Sequence, residues 1–140
     1  MKAEQNFQAE YRPSEGEPFM SPRQLEYFRQ KLLVWKHSIL EESRGTIEHM
    51  QADTRNLPDI ADRASEETDR ALELRTRDRQ RKVVAKIDAA LRRIDDGTFG
   101  YCEATGEPIS LKRLDARPIA TLSLEAQERH ERKERVHRDD

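Results

Sequence analysis

From Leu25 onward, apolar residues recur at Leu25, Phe28, Leu32, Trp35 and Ile39, at steps of 3, 4, 3 and 4. That alternation is a heptad seam, a single apolar stripe along one helical face. Ser21-Pro22 supplies the start, because a serine hydroxyl accepts a free first-turn amide and proline suits the first helical position. The seam then shifts to Leu40, Ile47 and Met50 past a weak point at Gly45. The spacing predicts a helix to about Ala52, roughly 45 Å long at 1.5 Å per residue. Asn56-Leu57-Pro58 interrupts it, since proline disfavours helical backbone in the residue before it. A second helix, capped by Asp59 or Asp62, extends to Asp96, with Gly97 as its C-terminal stop. Its seam is clearest at Val83, Ile87, Ala90 and Ile94. Extended backwards it meets the polar Gln80 and Thr76, and nearer the turn Ala64, Ala71, Leu72 and Leu74 fall in a shifted register. Two helices of similar length joined by a short turn predict an antiparallel hairpin.

Beyond Gly97 the pattern changes. Phe99-Gly100-Tyr101 and Thr105-Gly106-Glu107-Pro108 read as short strands and turns, and helix is expected again from Ile119 to about Val136. The chain is therefore divided into a flexible N-terminal arm (1–20), an antiparallel coiled-coil hairpin (21–96) with its tip near 55–64, a compact knuckle (97–118), and a C-terminal helix and tail (119–140). The fold class is mostly α: a long hairpin on a small base.

Composition sharpens this reading. Charged residues make up 39% and hydrophobic residues 34% of 140 residues, against about 25% and nearly half in an average domain. Such a chain suits helices that each bury one narrow stripe. Disorder is the competing expectation for a polar, charged chain, but the net charge is only -2 and the apolar residues keep helical spacing. Balanced charge also argues against generic DNA binding, which favours a basic excess. No apolar run approaches the 18 or so residues of a membrane span, and the polar N-terminus does not resemble a secretory signal. The single cysteine, Cys102, excludes an internal disulfide, and a cytoplasmic location is expected.

Charge along the hairpin is uneven. Between residues 52 and 73, seven acids (Asp53, Asp59, Asp62, Glu66, Glu67, Asp69, Glu73) face three arginines. Asp59 and Asp62 share a face if the helix has begun. The plain reading is helix capping, which favours acids in a first turn. A paired-carboxylate catalyst needs a pocket to separate the two pKa values, and a hairpin tip offers none, so the chain is not expected to be an enzyme. An exposed acidic tip instead suits a metal ion or basic patch on a partner. Below it, Arg75, Arg77, Arg79, Arg81 and Lys82 form a basic band, either a solvated face or a contact surface for acidic groups. A zinc knuckle at Cys102 would require Cys-x-x-Cys and a second pair downstream. Thr105, Ser123 and Ala126 occupy those places, so zinc is not expected, and Cys102 reads as a small packed residue. His37 and His49 read as surface residues and Trp35 as core.

Together, four stretches resemble the DksA family of RNA polymerase-binding transcription factors. Leu57-Pro-Asp-Ile-Ala-Asp-Arg-Ala64 is similar to the family's hairpin tip. Leu72-Glu-Leu-Arg-Thr-Arg-Asp-Arg-Gln-Arg-Lys82 is similar to its second helix, and Gly97-Thr-Phe-Gly-Tyr-Cys-Glu103 and Arg113-Leu-Asp-Ala-Arg-Pro118 to the surroundings of its zinc knuckle. The resemblance spans about residues 20 to 130. It implies a non-enzymatic regulator of transcription initiation whose hairpin enters the secondary channel of bacterial RNA polymerase. Such a regulator destabilises promoter complexes, notably at ribosomal RNA promoters, together with ppGpp (the stringent response). By that likeness Asp59, Asp62 and Ala64 act at the tip, and Arg79 and Lys82 meet the channel rim. Val83, Lys86, Arg117 and Gln127 fall at the nucleotide site shared with polymerase. The family's four zinc cysteines stand here as Cys102, Thr105, Ser123 and Ala126, a degenerate, zinc-lacking knuckle expected to fold through Phe99, Tyr101, Ile109, Leu111, Leu114 and Leu122. Gln127 replaces a frequent lysine. Losing one charge-assisted hydrogen bond costs roughly 1.5–3 kcal/mol, which implies weaker ppGpp dependence. The protein is expected to be monomeric, without direct DNA or membrane binding. A Gre-like transcript-cleavage factor and a structural coiled-coil adaptor are the alternatives, separable by whether stalled complexes release short RNA and whether the tip aspartates matter.

Overall fold

A computed structural model describes residues 11–53 and 60–139. Four helices occur among the described residues: α1 (Pro22–Asp53), α2 (Ile60–Asp96), α3 (Leu111–Ala116) and α4 (Leu124–Asp139). The expected breaker Asn56-Leu57-Pro58 and the capping candidate Asp59 lie outside the described residues, as do residues 1–10. The start of α1 follows its capping logic: the Ser21 hydroxyl accepts the Gln24 amide at 3.3 Å. At the end of α2, Gly97 takes φ 84°, and the Thr98 amide reaches back to the Arg93 carbonyl at 2.9 Å. This is the left-handed closure that glycine permits without strain from a Cβ. Helix α1 passes Gly45 unbroken.

The chain divides into two compact units, Met1–Leu32 with Ala89–Asp140, and Leu33–Asp88. In the first unit Phe28, Leu32, Ile94, Phe99, Ile109 and Leu114 are buried. The rings of Phe28 and Phe99 lie 5.5 Å apart, tilted against each other. Tyr101, expected in this core, is exposed, and Leu111 and Leu122 are only half-buried. Ile119, Ala120 and Ala126 are buried instead. Residues 11–20, read from sequence as part of a flexible arm, make defined contacts. Tyr11 packs edge-on against Tyr27, centroids 5.9 Å apart, and Phe19 against Tyr101 at 5.4 Å. Buried Gln24 accepts the Met20 amide at 2.7 Å and donates to the Ser14 carbonyl at 3.2 Å. Met20 adopts φ 53°, and its side chain comes within 3.1 Å of where a Cβ on Gly100 would stand. Glycine is needed there both for that approach and for its own φ of 92°.

In the second unit the two helix segments run antiparallel. Lys36 pairs with Asp88 at 2.7 Å, Gln80 donates to Glu42 at 3.4 Å, and His49 faces Glu73 at 3.9 Å. Numbers rise along one segment as they fall along the other. Among the described residues Ile39 and Ile87 are the buried hydrophobic ones here, and Trp35 is half-buried. The seam was expected to shift to Leu40, Ile47 and Met50. It does not: Ile39 stays buried while Leu40 is 49% exposed and Ile47 half-buried, and the Met50 side chain lies outside the described residues. Consecutive aliphatic residues on a helix point about 100° apart, so only one can occupy a two-helix seam.

The C-terminal helix starts later than expected. Prolonging the helix back to Ile119 would carry it through residues that are irregular and partly buried. The actual start is at Ser123, whose hydroxyl accepts the Ala126 amide at 3.3 Å. The short α3, capped by Ser110, was not anticipated.

Candidate functional site

Three places carry the residues of interest. Asp62 lies in the first turn of α2, exposed, with exposed Ala64 after it. Asp59 lies outside the described residues, so the pair is not placed together. Further along α2, Arg75, Arg79, Lys82 and Lys86 recur at helical spacing on one exposed face. Beside them Leu72, Thr76 and Asp78 help to line a shallow concavity. Thr76 donates back to the Leu72 carbonyl at 3.0 Å and accepts from Arg79 at 3.3 Å. Val83 is half-buried beside this face.

In the other unit Arg117 is exposed and ends α3, its amide bonded to the Arg113 carbonyl at 2.8 Å. Gln127 sits in the first turn of α4, half-buried, and its amide nitrogen donates to Glu131 at 3.1 Å.

The knuckle is organised around Cys102, which is 2% exposed. Its amide donates to the Glu107 carbonyl and its carbonyl accepts from Gly106, both at 2.8 Å. The Ile109 amide closes the turn on Gly100 at 2.7 Å, and Tyr101 and Pro108 form an isolated antiparallel bridge. Burial pushes the Cys102 thiol up, but hydrogen bonds outweigh it. They come from the Thr105 hydroxyl and from backbone amides of Ser123, Thr105 and Ala104, and they hold the thiol down at about 6. Sequence reasoning took Cys102 for a plain packed residue, because these amides converge only in the folded turn.

A second cluster was missed by sequence reasoning. Asp115 accepts hydrogen bonds from Tyr27 at 2.6 Å and Lys31 at 2.7 Å, with Arg12 at 3.9 Å. Burial raises the Asp115 carboxyl, and its partners, Lys31 first, more than reverse that, so it stays below the usual carboxylate range. Burial and the bond to Asp115 push the Tyr27 phenol up to about 12.

No helix among the described residues is long and apolar enough to cross a membrane. Residues 24–94 match the family described as the DnaK suppressor protein DksA N-terminal domain, and residues 97–132 match the prokaryotic dksA/traR C4-type zinc finger. A Caulobacter vibrioides RNA polymerase-binding transcription factor DksA is 72% identical over 132 residues, covering 94% of this chain and 93% of its own. The Escherichia coli protein of the same description is 43% identical over 115 residues, covering 82% and 76%. The solved structure of transcription factor DksA2 from Pseudomonas aeruginosa superposes with a TM-score of 0.80 at 39% identity, covering 94% of this chain and 98% of that one. The zinc that a C4-type finger implies does not fit the donors present. Cys102 is the only cysteine, the Thr105 and Ser123 hydroxyls are engaged by the amides of Glu107 and Ala126, and Ala126 offers a buried methyl. Among the described residues no group of three or more His, Cys, Asp or Glu side chains converges. With family models matching residues 24–94 and 97–132 and a relative 72% identical over 94% of its length, the chain belongs to the DksA family.

Proposed function

We propose that this protein is a non-enzymatic, cytoplasmic regulator of transcription initiation that binds RNA polymerase through its secondary channel. The observation that carries this reading is the 72% identity across 94% of the chain to a protein described as an RNA polymerase-binding transcription factor. In this mechanism the acidic tip, Asp59 and Asp62 with Ala64, approaches polymerase's own catalytic centre, and weak open complexes fall apart. The force is electrostatic: carboxylates introduced near a magnesium-dependent centre perturb its field. Arg79 and Lys82 supply cations that suit an acidic rim. Val83, Lys86, Arg117 and Gln127 contribute to binding of ppGpp held by polymerase. Gln127 lacks the charge of a lysine, so the response to ppGpp is weaker than that of a lysine-bearing relative. The knuckle works without zinc.

The test is transcription in vitro from a ribosomal RNA promoter with purified bacterial polymerase, with and without ppGpp. The wild-type protein inhibits, and Asp59→Asn with Asp62→Asn abolishes inhibition while polymerase binding persists. Inhibition that survives the double variant would refute the role of the tip. Absence of inhibition by the wild type would refute the regulator. Gln127→Lys should strengthen the ppGpp response, and an unchanged response would remove that explanation.

A further inference from the structure

The hairpin unit has a second flank, turned away from the Arg75, Arg79 and Lys82 face. On α1, Leu33 and Leu40 are 41% and 49% exposed, and with Ile47 they fall seven residues apart. On α2, Arg77, Arg81 and Val84 stand one helical turn apart. Ile39, Leu40 and Ser43 meet Arg77, Arg81 and Val84 across a groove of about 160 Å³. Positions 77, 81 and 84 lie on the opposite side of the seam from 75, 79 and 82, because each residue advances the helix by about 100°. The lining is mainly apolar, with Ser43 and Gln80 its uncharged polar members, and its two charged residues are both cations. Neither Arg77 nor Arg81 forms an ion pair with any described residue, whereas on the α1 border Arg44 is matched by Glu48 at 3.5 Å.

We infer that this flank is a docking groove for an amphipathic helix of a protein partner, with apolar residues at heptad spacing and acidic residues along the edge that faces α2. The form of the occupant follows from the stripe. Leu33, Leu40 and Ile47 repeat every two turns, the spacing at which a third helix inserts its side chains between those of a hairpin. A helix laid in a groove is a common recognition mode, anchored by such a stripe. The charge of the occupant follows from Arg77 and Arg81, whose guanidinium groups match carboxylates bidentately. Heptad leucines left in water along a surface are the kind of feature that marks an interaction site.

The inference stands apart from the polymerase reading and is tested on the full chain alone. The probe is a fluorescein-labelled helical peptide about three heptads long, with leucine at its seam and glutamate on its flanks. A second peptide replaces the glutamates by lysine. Fluorescence anisotropy should show the acidic peptide binding the wild-type protein at least tenfold more tightly than the basic one. Arg77→Glu with Arg81→Glu should lose at least tenfold in affinity for the acidic peptide and gain affinity for the basic one. Leu40→Ser should weaken both. The gain for the basic peptide guards against a misfolded variant, since an unfolded groove gains nothing. Equal binding of both peptides, or indifference to charge reversal, would overturn the proposal. So would sedimentation showing Leu40-dependent self-association, or phosphatidylglycerol vesicles displacing the acidic peptide, because either assigns the flank another occupant.

Discussion

Replacing Cys102 by alanine removes an acceptor that four hydrogen-bond donors share. The thiol ionises at about 6 in the folded protein, down from an ordinary value of 9.0. Each tenfold change in proton affinity is worth about 1.4 kcal/mol, so the thiolate contributes up to about 4 kcal/mol where it is fully ionised. The solvation cost of burying the anion is already contained in that net lowering, and a contribution of a few kcal/mol is expected. The sign follows from the direction of the shift. Between pH 6 and 9 the unfolded chain holds a proton on this sulfur that the folded chain has released. Stability therefore rises with pH through that window, is complete above the unfolded thiol's pKa, and is lost as pH falls through about 6. The assay is urea unfolding with a reductant present, followed by circular dichroism, for wild type and Cys102→Ala. The gap between the two proteins should widen steadily from pH 6 to 9 and be small below 6. Subtracting the variant cancels the histidines, which titrate in both. Parallel pH profiles for the two proteins would refute the thiolate, and an unchanged stability at high pH would refute its role in holding the knuckle.

Other expectations concern the two units separately. Ile87→Ala empties a fully buried position and should destabilise the hairpin unit by about 2–5 kcal/mol, read from the loss of helical signal on denaturation. Gln80→Leu should have the opposite sign. The Gln80 Oε1 atom is buried without a partner among the described residues, so a leucine there should raise stability by about 1 kcal/mol, and a lower midpoint would show that the bond to Glu42 outweighs that defect. Asp115→Asn should blunt acid unfolding. The carboxyl's depressed pKa adds stability that is present above the ordinary value of 3.8 and lost as pH falls below it, so wild type and variant should converge at the acid end of a pH-dependent melting series.

What the sequence disclosed was whatever depends on near neighbours. The Ser21 cap and the Gly97 stop are each written within a few residues and hold in the structure, as do the seam positions Phe28, Leu32 and Ile39, while Leu25 and Trp35 are half-buried. Where reasoning failed, the missing information lay across the fold. Leu40 and Ile39 are equally aliphatic, and only the facing helix decides which one is covered. Tyr27 and Lys31 meet Asp115 across 88 and 84 residues of chain, a separation at which no periodic pattern signals a contact. Helix α3 is six residues long and carries two leucines, Leu111 and Leu114, among polar neighbours, too little for a seam to be read. Cys102 shows the same limit in chemical form. Its residue type alone predicts an inert buried thiol, and the Thr105 hydroxyl three residues on counts for nothing until the loop folds back and brings the Ser123 amide to the same sulfur. The tip belongs to neither class. Asp59 and Asp62 fit a helix cap on local grounds, and a reason to assign them a role in polymerase came from resemblance to the family. Spacing sets which carboxylates can share a face; the partner's surface decides whether that face does anything beyond ending a turn. For this reason the decisive substitutions at the tip are isosteric asparagines, which keep a side-chain oxygen able to accept a hydrogen bond and remove the charge that a partner would sense.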